Sequence, residues 1–323
     1  MPTAFITGIT GQDGSFLSEF LLAKDYQVVG LVSGNFNIGY QNIDHIKDKL
    51  ILEEGDLLDQ KSLEKILDTH PPDEIYNLAG MTFIPPSWEK PTLTLDVNTL
   101  GVTRLLELVV QKHQQARFYQ ASSSKIFGDP EVAPQNETTP IAPQDPYSVS
   151  KAAAHRLVGV IRKHFDIFAV SGIMFNHESE RRGPEFVTRK ITISAVKIKA
   201  GRQAKLELGD LDAVQDWGYA PDYVQAMWLM LTNDTPDDYV IATGVHHSVA
   251  DICQIAFSHL GLDYQDYVTI DPSFIRKEKI TSPKGDASKA KKILGWQPQV
   301  SFEQMIIKMV EHDQQLLTAG QLP

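Results

Sequence analysis

The chain has one cysteine in 323 residues, Cys253. That excludes an internal disulfide framework and fits a reducing compartment. Cys253 lies in DICQIAFSHL and reads as a small buried hydrophobe. No apolar run approaches the roughly 18 residues of a bilayer span. The opening MPTAFITG lacks both a charged n-region and a long apolar segment, so no signal peptide is expected and the expected location is cytoplasmic. Positive charge is also scarce: 30 Lys and Arg face 41 Asp and Glu, a net −11. A bulk field of that sign disfavours nucleic acid and anionic membranes as partners, and an anionic substrate would need a locally basic pocket. Repeats, low-complexity tracts and a metal site are not expected. With 42% hydrophobic and 22% charged residues, the composition is that of a globular protein with one large or two modest lobes.

The first apolar run, Thr3 to Thr7, breaks into Gly8-Ile-Thr-Gly11-Gln12-Asp13-Gly14 and a helical pattern, SFLSEFLLAKDY. Strand, glycine turn and helix in that order form a dinucleotide-binding start, with the pyrophosphate at the helix N-terminus. Gly8, Gly11, Gln12, Asp13 and Gly14 are therefore candidate cofactor residues. A second strand, Gln27–Val32, is followed by Ser33-Gly34-Asn35, which offers neither the acidic residue of an NAD site nor the arginine of an NADP site. Further strands are predicted at Leu50–Glu54, from Glu74 to Gly80, at Arg117–Ser122, Ile167–Phe175 and Tyr239–Thr243. Helices are predicted at Gln60–Thr69, Thr92–His113, Pro146–His164 and Asp222–Leu231. Asp56, with Leu57, follows the third strand and can meet an adenine or simply cap a turn. Leu78 and Ala79, in NLAG, are small enough to let a cofactor pass. This alternation predicts an α/β, Rossmann-type doubly wound parallel sheet. A smaller α/β substrate lobe is expected from residues 176–221 and 246–323, with 222–245 returning to the first lobe of residues 1–175.

Tyr147 and Lys151 lie one helical turn apart on one face. Beside a nucleotide cleft, the ammonium would lower the phenol's pKa from about 10. The phenolate could then take a proton from an alcohol whose carbon gives hydride to a nicotinamide. Ser123 or Ser124, at the fifth strand's end, would hold the same oxygen. A bare YxxxK is more often a solvated helix face; the glycine turn upstream changes that balance. Past Phe175, ERRG and FVTRK are basic islands that read either as solvated helix starts or as phosphate holders.

GITGQDG, NLAG, RFYQASSS, PYSVSK, FNHESERRG, EFVTRKI, DYVQAMWLML and KAKKILGWQP together closely resemble GDP-mannose 4,6-dehydratases, of the extended short-chain dehydrogenase/reductase group. The resemblance implies a nucleotide-sugar enzyme with a tightly bound NADP or NAD, a GDP-sugar substrate, and a homodimer or homotetramer. In that family hydride leaves C4 of the hexose, a base removes the C5 proton, water leaves from C6, and the hydride returns there. By the same resemblance Ser123, Tyr147 and Lys151 are catalytic. His177 and Arg182 lie on the cofactor side, and Ser87, Asn176, Val187, Lys190 and Arg276 on the substrate side.

The chain departs from the family pattern at four places. The glutamate acting at C5 and C6 falls on Lys125, and the arginines holding an NADP 2′-phosphate fall near Gly34 and Asn35. An arginine at the diphosphate is Gln215, and a glutamate at the nucleotide ribose is Lys279. If Lys125 serves as the base, its pKa must drop by about 3 units from about 10.4. ASSSKIFG also resembles the corresponding stretch of nucleotide-sugar 4-epimerases, which need no base at C5. A GDP-sugar 4-epimerase or 4-oxidoreductase is therefore the alternative, and a non-catalytic dinucleotide sensor a more distant one.

Overall fold

The computed structural model describes residues 1–34, 39–130, 132–274 and 283–322; Asn35, Arg276, Lys277 and Lys279 lie outside the described residues. In chain order the elements are β1 (Thr3–Thr7), α1 (Gln12–Leu22), β2 (Gln27–Val32), β3 (Ile51–Glu54), α2 (Gln60–Thr69), β4 (Glu74–Asn77), α3 (Pro85–Glu89), α4 (Pro91–Leu95), α5 (Gly101–Lys112), β5 (Arg117–Ser123), α6 (Pro146–Phe165) and β6 (Ala169–Met174). There follow β7 (Asn176–Glu178), α7 (Val187–Lys199), β8 (Leu206–Leu208), β9 (Val214–Tyr219), α8 (Ala220–Thr232), β10 (Tyr239–Ile241), β11 (His246–Ser248), α9 (Val249–His259), β12 (Val268–Ile270), α10 (Ser288–Leu294) and α11 (Phe302–Thr318).

Among the described residues the main sheet has seven strands in the order β3-β2-β1-β4-β5-β6-β10, all neighbours parallel. Its central strands are apolar runs because both faces are covered. One face packs on α1 and α8 through Ile6, Tyr76, Tyr119 and Met227, the other on α2, α5 and α6 through Phe5, Ile75, Phe118 and Ala154. The strand order reverses between β1 and β4, which opens a crevice beyond their carboxyl ends. The doubly wound sheet is thus as expected. A separate apolar cluster joins α7, α9 and α11 through Ile191, Phe257 and Met309.

Three features differ from the sequence expectation. The helix predicted over 92–113 is interrupted by a π-helical turn, Asp96–Leu100. There Asn98 turns inward: its Oδ1 accepts from Met81 N at 2.8 Å, and its Nδ2 donates to Ser150 Oγ at 3.0 Å. A small sheet, β11-β9-β7, has no counterpart in the sequence pattern; two of its strands have three residues each, too few to show a period. The basic islands are largely occupied within the protein. Arg181 bonds Ser15 and Glu19, and Arg189 pairs with the fully buried Asp313. Both arginines are thus engaged with partners inside the chain.

Candidate active site

The glycine turn after β1 is shaped by the lack of side chains. Gly8 has φ +73°, and a Cβ there would come within 2.8 Å of Ala79 N; a Cβ on Gly14 would fall 2.6 Å from Ile9 Cα. Thr7 Oγ1 accepts from Leu78 N and Ala79 N at 3.1 and 3.0 Å, which fixes NLAG against the turn. The same hydroxyl donates to Asn77 Oδ1 at 2.6 Å, Asn77 Nδ2 donates to Gln120 Oε1 at 2.8 Å, and Gln120 Nε2 donates to the Ala121 carbonyl at 3.0 Å. That carbonyl also accepts from Lys151 Nζ at 2.9 Å. A row of uncharged polar groups thus crosses three neighbouring strands, β1, β4 and β5, from the glycine turn to the lysine.

Where Tyr147 and Lys151 stand is set by the start of α6. Asp145 caps it by accepting from Ser148 N at 2.8 Å while Ser148 Oγ accepts from Asp145 N at 3.0 Å, and Pro146 occupies the first helical position. Tyr147 and Lys151 are both buried against the sheet, 8% and 4% exposed. Burial pushes the Tyr147 phenol up, opposed by its hydrogen bond with Ser123 and by the Arg182 charge. The fall expected from Lys151 is not what the structure shows, because that ammonium is directed at the Ala121 carbonyl. Burial itself brings Lys151 down to about 8, with Asp13 opposing. Ser123 Oγ also accepts from Lys125 N at 3.2 Å. Lys125 is half-buried in the following turn, Ser124–Phe127.

Gln12, Asp13 and His177 meet one another. His177 Nε2 lies 2.9 Å from Asp13 Oδ2, and its Nδ1 lies 2.8 Å from the Phe175 carbonyl. A carbonyl only accepts, so Nδ1 carries a proton. Burial pulls His177 down, but Asp13 and that carbonyl more than compensate and its pKa is raised. Burial likewise pushes Asp13 up, yet His177, Gln12 and Arg182 hold it below the ordinary carboxylate range. Gln12 closes the set, donating to His177 O at 3.2 Å and accepting from Ser179 Oγ at 2.7 Å. Arg182 lies over the Phe186 ring at 3.6 Å and 3.3 Å from Glu178.

Asn176 Nδ2 donates to Gln215 Oε1 at 3.2 Å, so two substrate candidates face each other across β7 and β9. Lys190 Nζ donates to Glu207 O at 2.7 Å over the Phe274 ring, and Val187 opens α7. Ser87 is buried and donates to Ile84 O at 2.6 Å. Asp56 Oδ1 accepts from Leu58 N at 3.0 Å, a turn cap, and Leu57 is buried. Sequence reasoning missed the Thr7, Asn77 and Gln120 row. Its signal was one uncharged polar residue following a pair of large apolar ones in each of three central strands, Phe5-Ile6-Thr7, Ile75-Tyr76-Asn77 and Phe118-Tyr119-Gln120.

A family profile described as GDP-mannose 4,6 dehydratase matches residues 5–309. GDP-mannose 4,6 dehydratase 2 of Arabidopsis thaliana is 48% identical over 325 residues, covering 97% of this chain and 87% of its own. GDP-mannose 4,6 dehydratase of Homo sapiens is 43% identical over 341 residues, covering 97% and 92%. Among solved structures, the UDP-glucose 4-epimerase of Thermus thermophilus in complex with NAD superposes with a TM-score of 0.85 at 26% identity, covering 96% of this chain and 98% of that one.

Proposed function

The chain belongs to the GDP-mannose 4,6-dehydratase family of enzymes, and from that premise we propose that it binds a nicotinamide dinucleotide and oxidises a GDP-hexose at C4. The observation that carries this reading is the meeting of Ser123, Tyr147 and Lys151 in one buried corner beside the glycine turn. The turn fits the group: its Gly8 and Gly14 leave a cradle that a Cβ would fill. Gly8, Gly11, Gln12, Asp13 and Gly14 would hold the pyrophosphate, Asp56 and Leu57 the adenine end, Leu78 and Ala79 the flank, and His177 and Arg182 the nicotinamide end. A bound nicotinamide supplies the hydride acceptor and, later, the donor. Tyr147 takes the proton of the C4 hydroxyl, Ser123 holds that oxygen, Arg182 favours the phenolate by charge, and Lys151, held on the Ala121 carbonyl, shares the helix face of Tyr147. Asn176, Val187, Lys190 and Gln215 would face the GDP-sugar, in a lobe formed by residues 176–221 and 246–323, with Ser87 joining them from the first lobe; Arg276 is assigned to the substrate from the sequence resemblance alone.

Lys125 supports a second reading. With a lysine in place of the family's glutamate, elimination of water lacks a carboxylate base, and oxidation at C4 would lead instead to 4-epimerisation. Incubation with GDP-mannose followed by mass spectrometry and chromatography separates the two. Loss of one water supports dehydration with Lys125 as the base; unchanged mass at a new retention time supports epimerisation. If Lys125→Glu gains water loss that the native protein lacks, the native enzyme is not a dehydratase. No change in the GDP-mannose at all removes it as the substrate. We further read the protein as a cytoplasmic homodimer or homotetramer. Val149 and Val160, eleven residues apart on α6 and so on one face, are both exposed, as is Leu100 nearby.

A further inference from the structure

We propose that Glu54 makes this enzyme select NAD over NADP, acting from β3 in place of the acidic residue that β2 lacks. The proposal rests on the dinucleotide reading above. Val32 ends β2 and pairs in register with Glu54, and Gly55 N donates to Val32 O at 3.0 Å, so the two strand ends are held level. In a doubly wound sheet the residue at the end of β2 reads the adenosine ribose. Here the chain continues as Ser33-Gly34. A Cβ built on Gly34 would lie 2.5 Å from Glu54 Oε1 and 3.5 Å from its Cδ. The carboxylate therefore lies directly over the glycine, in the space a side chain from β2 would take.

An ionised carboxylate only accepts hydrogen bonds. A ribose 2′-hydroxyl can donate to it; a 2′-phosphate offers only like charge at a few ångströms, in a position open to solvent. The residues able to offset that repulsion are missing from this part of the chain. There is no arginine before Arg104, so β1, α1, β2 and β3 contribute none. Arg104 itself, on α5, is committed to the Leu57 carbonyl at 3.0 Å and to Asp96 at 2.9 Å.

The test is direct binding. Protein freed of copurified nucleotide is titrated with NADH and with NADPH by nicotinamide fluorescence, in low and in high salt, for the native chain, Glu54→Gln and Glu54→Arg. We expect NADH to bind at least tenfold more tightly than NADPH in low salt, the ratio to narrow in high salt and in Glu54→Gln, and to reverse in Glu54→Arg. The nucleotide released from the native protein on denaturation should be NAD. Equal or tighter NADPH binding by the native chain, or a ratio unchanged in both variants, overturns the proposal while leaving the enzyme reading intact. Failure of either dinucleotide to bind overturns both.

Discussion

At Tyr147 and Lys151, two buried groups hold unfavourable environments that function needs. Tyr147→Phe removes the proton acceptor and should lower C4 oxidation by about 10²–10⁴-fold, with the thermal midpoint little changed. Undiminished turnover of GDP-hexose would overturn the assigned role. Lys151 is a case where activity and stability oppose each other. Its folded pKa of about 8 lies below the ordinary 10.5, so the unfolded chain binds the extra proton between those values. Stability from this group therefore rises with pH across that window and is poorest below it. The cost at neutral pH is about 3 kcal/mol, from about 1.4 kcal/mol per pKa unit. Lys151→Met should raise the melting temperature at pH 7, with the gain shrinking toward pH 10, while activity is lost. The Ala121 carbonyl keeps its bond from Gln120 in that variant. A gain equal at both pH values would show that the lysine's charge is not the cause.

The elements carry these residues into place, and the cap of α6 is the most exposed to test. Asp145→Ala removes a side chain that satisfies the backbone at Ser148. The expected loss is about 1 kcal/mol of stability by chemical denaturation, with a fall in kcat because Tyr147 follows two residues later. An unaltered denaturation midpoint would mean that Pro146 alone sets the helix start. The sequence made most elements legible: β1 and β2 are short apolar runs bounded by polar or glycine residues, and α2, α6 and α8 are long helical patterns, all standing within a residue or two of where those patterns place them. The π-helical turn at Asp96–Leu100 was not legible, since it arises from Asn98 reaching Met81, a contact between separate segments. The short strands β7 and β11 were hidden for the same reason, their pairing with β9 being decided far away in sequence. At the candidate site, the spacing of Tyr147 and Lys151 and the glycine turn were readable. The direction of the Lys151 ammonium and the occupation of Arg181 and Arg189 were not, because both depend on partners that no local pattern names.

For the whole molecule, the exposed apolar residues of α6 set a measurable expectation. Light scattering of Val149→Asp/Val160→Asp should give the mass of one chain if this face joins two copies, the native protein giving a multiple of it. The same mass before and after the change would move the contact elsewhere. The net charge of −11 makes any basic pocket a local matter. The polar row from Thr7 through Asn77 and Gln120 to the Ala121 carbonyl has a consequence of another kind. Asn77 and Gln120 are 0% and 1% exposed, and each amide points the one way that satisfies both neighbours. Their side-chain NH2 protons should then exchange slowly with solvent and give dispersed, resolvable NMR signals. The protein would carry two spectroscopic probes of its own in β4 and β5, sensitive to events at Lys151 and requiring no label to be attached near the site.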